Sequence, residues 1–128
     1  MDHDSKPGNF CWNELASPDV KKSCEFYERL LGWKSQTVPI GPGETYTLFL
    51  NKGEQIGGMR ALSGEEQNVP PHWMSYIAAD DVDGLCEKAS TLGGQVVMGP
   101  LDIPGVGRFG FIKDPTGANF ALWKNLKE

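Results

Sequence analysis

The chain carries one pattern twice. Trp12, Leu15, Asp19, Leu31 and Gly32 are answered by Trp73, Tyr76, Asp80, Leu92 and Gly93, each pair 61 positions apart (73 − 12, 76 − 15, 80 − 19, 92 − 31 and 93 − 32 all give 61). Each set opens in a strand-like run, turns at an acidic residue, crosses a helix and stops at Leu-Gly. A repeat of this period in a chain of 128 residues means two copies of one supersecondary unit. Two such units can face each other across a shared cavity, and small ligands bind in cavities of that kind.

The first copy reads as β-α-β-β-β. Asn9 to Ala16 is a strand with Phe10, Trp12 and Glu14 on one face and Cys11, Asn13 and Leu15 on the other. Ser17 is the N-cap candidate, with Pro18 at the first helical position. Val20, Cys24, Tyr27 and Leu31 then form one helical stripe, and Gly32 closes the helix. Strands follow from Trp33 to Pro39, Tyr46 to Leu50 and Gln55 to Arg60, with turns at Gly41-Pro42-Gly43 and Asn51-Lys52-Gly53.

The second copy starts at His72-Trp73 and its strand reaches Ala79. Asp80 or Asp81 caps a helix whose stripe is Val82, Leu85, Ala89 and Leu92. Strands near Gln95 to Leu101, Gly107 to Lys113 and Ala118 to Lys124 complete it, the last two joined by Asp114-Pro115-Thr116-Gly117, a type I turn followed by a bulge. The organisation is therefore a disordered lead over 1–8, a first module over 9–60, a linker over 61–71 and a second module over 72–124, all in one domain of the α+β class.

Composition narrows the function classes. A net charge of −5 leaves no basic footprint for nucleic acid. No apolar run approaches the roughly 18 residues that span a bilayer, and the first eight residues are not a signal peptide, so no membrane partner is expected. Cys11, Cys24 and Cys86 are odd in number and lack C-x-x-C spacing, which suits reduced thiols and a cytoplasmic location.

Paired β-α-β-β-β modules, Phe26-Tyr27 ahead of Leu31-Gly32-Trp33, and the closing Asp-Pro-x-Gly turn resemble the vicinal oxygen chelate superfamily, which holds glyoxalase I, bleomycin-resistance proteins, extradiol dioxygenases and fosfomycin-resistance enzymes. The resemblance runs from about residue 9 to residue 124, and Cys11-Trp12-Asn13-Glu14-Leu15 is similar to the opening strand of a glyoxalase-related branch. It implies that each module curls into a half-barrel, that the pair forms a cup, and that the protein is a homodimer. Metal-dependent members take His or Glu ligands from the first and last strands of the modules. The positions corresponding to them here are Trp12, Trp73, Ala121 (in place of Glu in D-P-x-G-N-x-x-E-L) and the stretch Gly57-Gly58-Met59. None of these is a usual ligand for Zn, Ni, Mn or Fe(II), so no metal and no other cofactor are expected.

The remaining candidates each carry two readings. Trp12 and Trp73 either line an open cup, with aromatic walls suited to planar or apolar ligands, or plug it. Glu14 shares the face of Trp12 and is either a desolvated general base or a carboxylate at the rim, in water or paired with Arg60 or Arg108. Ser75, its repeat partner, is a hydrogen-bond donor for a ligand; Arg108, after the Gly/Pro-rich stretch 99–107, either meets an anionic ligand group or stands exposed. His72 is the only His outside the lead and reads as structural or solvated, or, with Glu14, as an unconventional metal ligand. The leading expectation is a small-molecule-binding protein of the glyoxalase/bleomycin-resistance type with ligand contacts from Trp12, Trp73, Ser75, Arg108 and Ala121. The alternative is a lyase, isomerase or dioxygenase-like enzyme using Glu14 as acid/base, with or without a divalent metal. An interaction module with a plugged cup is the third reading.

Overall fold

A computed structural model describes residues 6–41, 43–62, 66 and 68–126. Its elements run β1 (Phe10–Ser17), α1 (Val20–Leu31), β2 (Lys34–Gly41), β3 (Glu44–Asn51), β4 (Glu54–Ala61), β5 (His72–Ala78), α2 (Val82–Thr91), β6 (Gln95–Ile103), β7 (Gly107–Lys113) and β8 (Asn119–Asn125). This is βαβββ twice, and the class is α+β. The chain parts into two compact units, Asn13–Trp73 in one and the residues before and after it in the other. Residues 1–5 of the expected lead lie outside the described residues, as do 63–65 and 67 of the expected linker and Pro42 of the first turn. Gly8 donates its N–H to Ala78 and Ala78 returns one to Asn9, tying the end of the lead to β5.

In the unit Asn13–Trp73 the strand order is β2-β3-β4-β1, with β1 and β4 parallel and the other pairs antiparallel. Leu15, Phe49 and Met59 form its buried core, and Val20, Cys24 and Tyr27 of α1 pack on them with Trp33 and Ile56. The helical stripe is thus real up to Tyr27, while Leu31 at its end is exposed. The cap differs from expectation. Asp19, not Ser17, is the N-cap, accepting from the Lys22 N–H at 3.1 Å. A residue that precedes proline is driven to extended backbone, so Ser17 stays in β1 and Pro18 stays outside the helix. The Ser17 hydroxyl instead accepts from the Asp19 N–H and pairs with Ser23.

The other unit has the order β5-β8-β7-β6, with β5 and β8 parallel. Ala79, Val82, Cys86, Ile112 and Leu122 are its core, with Ile77, Ala89, Val96 and Phe120 around them. The buried residues of α2 are therefore Val82 and Cys86, with half-buried Ala89 beside them; Leu85 and Leu92 of the expected stripe are exposed. Asp81 caps this helix by accepting from Gly84 at 3.0 Å. The stretch 99–107 is not one loop: Gly99 and Pro100 lie inside β6 at a shift in its pairing with β7, and only 104–106 turn.

The repeat has two offsets. Phe10 and His72 open the first strands, Asp19 and Asp81 cap the helices, and Val20 and Val82 begin them, each pair 62 apart (72 − 10, 81 − 19, 82 − 20). Past the helices, the left-handed glycines Gly32 and Gly93 and the strand starts Lys34 and Gln95 are 61 apart (93 − 32, 95 − 34). The second helix is two residues shorter, 10 against 12, and the segment after it is one residue longer (92–94 against 32–33), which leaves the difference of one. One residue in a strand exchanges its two faces. The counterpart of Trp12 is therefore Met74, not Trp73, and that of Glu14 is Tyr76, not Ser75.

The Asp114–Gly117 turn is held by a single carboxylate. Asp114 Oδ1 accepts from the Thr116 hydroxyl at 2.7 Å, the Thr116 N–H at 2.8 Å and the Ala118 N–H at 3.0 Å. The Thr116 hydroxyl and the Ala118 and Thr116 N–H groups hold its pKa below the ordinary 3.8. A depressed carboxylate contributes above its unfolded pKa and loses that contribution as pH falls through the folded one. The β7–β8 turn is expected to stay protected from amide exchange down to about pH 4 and to loosen below it. Asp114→Ala should loosen it at neutral pH; unchanged exchange at Thr116 and Ala118 in that variant would contradict this assignment.

Candidate functional site

Leu15 faces α1, so its neighbour Glu14 points to the opposite side of the strands. Glu14 is only 3% exposed. A carboxylate so buried is costly unless it is paired and hydrogen-bonded, and here it is both. The Tyr46 hydroxyl donates to Glu14 Oε2 at 2.7 Å, and Arg60 Nε stands 3.2 Å from Oε1. Arg60 reaches a second carboxylate, Glu66, at 2.5 Å through Nη1.

The strand pairing explains why these groups meet. Parallel pairing of β1 and β4 sets Glu14 beside Gly58 and Ala16 beside Arg60. Antiparallel pairing of β3 sets Leu48 against the same Gly58, with Tyr46 two residues away on Leu48's face. Gly58 has no side chain, and the Tyr46 ring lies over it; a Cβ there would overlap the ring and its hydroxyl. The missing side chain is what lets a phenol on one strand reach a carboxylate two strands away.

The sequence signal for this was the glycine pair Gly57-Gly58 within a strand, a mark of close approach. Tyr46 and Glu66 escaped the sequence reading, whereas Arg60 was among the weighed partners of Glu14.

The other sequence candidates fall in several places. Trp12, two residues before Glu14 on its strand face, is buried at 3% exposed. Trp73 is 42% exposed and stands on the helix side, in ring contact with Tyr27, Trp33 and Phe49, its Nε1–H donating to the Tyr27 hydroxyl at 3.1 Å. Ser75 is half-buried on Trp73's face of β5. Ala121 is fully buried and pairs with Tyr76, which makes edge contacts with Phe111 and Trp123.

Arg108 forks onto Asp83 at 2.6 and 2.9 Å and reaches Asp102 at 2.8 Å. Its guanidinium holds the Asp83 carboxyl below the usual range, and the two carboxylates raise the Arg108 pKa. His72 places Nδ1 2.8 Å from the Pro70 carbonyl oxygen. Burial pushes the thiols of Cys11 and Cys86 upward, away from thiolate character.

At the positions that correspond to metal ligands in the resembling superfamily, the side chains are not those a divalent cation takes. Trp12, its structural counterpart Met74, Gly58 and Ala121 offer none of the oxygen, imidazole or thiolate ligands such ions use. Among the described residues no three His, Cys, Asp or Glu side chains are grouped to hold one. Among the same residues no helix is long and apolar enough to cross a membrane.

Comparison with known proteins agrees with this architecture. The family model described as the Glyoxalase/Bleomycin resistance protein/Dioxygenase superfamily matches residues 11–122. The anthracycline biosynthesis protein DnrV of Streptomyces peucetius is 34% identical over 130 residues, covering 92% of this chain and 47% of its own. The protein CFP32 of Mycobacterium tuberculosis is 36% identical over 120 residues, covering 94% of this chain and 45% of its own. The chain thus spans about half the length of these curated relatives. The crystal structure of methylmalonyl-CoA epimerase from Mycobacterium tuberculosis matches with a TM-score of 0.63 at 19% identity, covering 98% of this chain and 93% of that one, a likeness of fold.

Proposed function

Because this chain belongs to the glyoxalase/bleomycin resistance protein/dioxygenase superfamily, we propose that it binds a small organic molecule, without a divalent metal, on the strand face that carries Glu14. The observation that carries this reading is the buried Glu14 carboxylate, fixed by the Tyr46 phenol and the Arg60 guanidinium on the side of the strands opposite α1. Such a group is a preorganised acceptor, the kind of placed polar group that orients ligands in small-molecule sites. Arg60 neutralises the carboxylate, so its first role is to position a ligand donor rather than to take a proton.

The names of a relative and of a structural neighbour suggest two probe classes, an anthracycline and an acyl-CoA ester. One of them is expected to bind untagged protein equally well before and after chelation with EDTA, to raise its melting temperature, and to lose at least tenfold in affinity in Glu14→Gln. Binding that needs an added divalent ion, or no binding to either class, would end this reading.

The Tyr46–Glu14 contact favours a second reading, a lyase or isomerase. A phenol 2.7 Å from a carboxylate is a proton donor in reach of an acceptor. Its signature is deuterium uptake at the α-carbon of a bound acyl ester in D2O that disappears in Glu14→Gln. A homodimer belongs to the same proposal, since β2 and β6 end the two strand orders and leave edges to cover. A sedimentation mass of one chain at micromolar concentration would remove it.

A further inference from the structure

The helix side of the unit Asn13–Trp73 holds a pocket of about 340 Å³ lined by Asn13, Trp33, Ile56, Gly57 and Trp73. Ligand pockets run from about 300 to 1,000 Å³, so this one suits a compact molecule. Two indoles form its walls, with ring centroids 6.3 Å apart and planes at 87°.

Both rings are held in place by Tyr27. Trp33 stacks on it at 5.4 Å with 18° between planes, and Trp73 donates its Nε1–H to its hydroxyl. Phe49, almost wholly buried, backs both rings at 5.2 and 6.1 Å. The walls are therefore rigid before any ligand arrives, which lowers the ordering cost of binding.

Gly57 keeps one side of the pocket clear. A Cβ there would come within 2.8 Å of the Asn13 carbonyl oxygen. Among the described residues no charged side chain lines the pocket, and Asn13 supplies an amide side chain. Trp73, at 42% exposed, leaves part of its ring uncovered.

We propose that this pocket is a second ligand site, on the side of the strands opposite Glu14, and that it takes a flat, uncharged aromatic ring system bearing one hydrogen-bonding group. The indole faces supply stacking and the Asn13 amide reads the polar group. The site owes nothing to Glu14, Tyr46 or Arg60, so it stands or falls separately from the function proposed for that face.

The test uses 2-naphthol and the four indole N–H resonances of 15N-labelled protein, one each from Trp12, Trp33, Trp73 and Trp123. The expected result is saturable one-to-one binding that shifts the Trp33 and Trp73 indoles and the Asn13 side-chain amide, and leaves Trp12 and Trp123 in place. Trp73→Ala, which removes a wall, and Asn13→Leu, which removes the polar reader, should each weaken naphthol at least tenfold while the other indole resonances keep their positions. Asn13→Leu provides the answer should Trp73→Ala disturb the fold. Shifts centred on Trp12 or Trp123, affinity indifferent to both substitutions, or no saturation up to the solubility of naphthol would each overturn the proposal.

Discussion

Arg60→Leu is expected to cost about 3 kcal/mol of folding stability, the low end of the range for removing one partner of a buried ion pair. Glu14 is 3% exposed and cannot find water in compensation, whereas the Arg60 side chain keeps 20% exposure and part of its hydration. The Tyr46 hydroxyl still donates to Glu14, which keeps the loss from the upper end. For a domain of this size the change corresponds to a fall in Tm of roughly 8–12 °C.

Urea unfolding at pH 7 measures the effect directly, and the double variant Glu14→Gln with Arg60→Leu should recover more than half of it, because the orphaned charge is then gone. A single-variant loss below about 1 kcal/mol would show that the pair behaves like an exposed salt bridge.

The second large effect separates two tryptophans that the sequence presents as equals. Trp12→Ala should cost about 3–5 kcal/mol, the usual penalty for emptying a buried aromatic site, since Trp12 is 3% exposed. Trp73→Ala should cost only about 1–2 kcal/mol, because much of that ring already meets water and the loss is confined to its contacts with Tyr27, Trp33 and Phe49. Thermal and urea unfolding of the two variants side by side check the ordering. Equal losses would mean that the two rings share one kind of environment, as a 61-residue correspondence requires.

Much of the architecture was legible because it is written in short periods. The alternation of Phe10, Trp12 and Glu14 with Cys11, Asn13 and Leu15, the stripe Val20–Cys24–Tyr27, and the glycine ending α1 are all local patterns, and each appears in its expected element. The caps were half-legible. Acidic residues were visible at both helix starts, but the sequence pointed to Ser17 as the first cap and left Asp80 and Asp81 open for the second, and only the donors reached by each carboxylate show that Asp19 and Asp81 are the caps. The second helical stripe was misassigned because Leu85 and Cys86 each keep helical spacing with Val82 and Ala89, and packing against Ile112 and Leu122 selects Cys86.

The sequence by itself determined that two βαβββ units are present and where their strands and helices lie, because repetition, alternation and turn chemistry are properties of neighbours along the chain; the family entered through the resemblance of their motifs. Tertiary structure decided what the site is made of. A strand repeats every two residues, so an offset of 61 or 62 changes nothing in the local pattern yet exchanges the faces on which Trp73 and Met74 stand. The strand starts and helix caps, each pair 62 apart (72 − 10, 81 − 19), settle that offset. The meeting of Glu14, Tyr46 and Arg60 depends on pairing between β1, β3 and β4 over a glycine, residues up to 46 positions apart (60 − 14), and no local rule specifies such a distance.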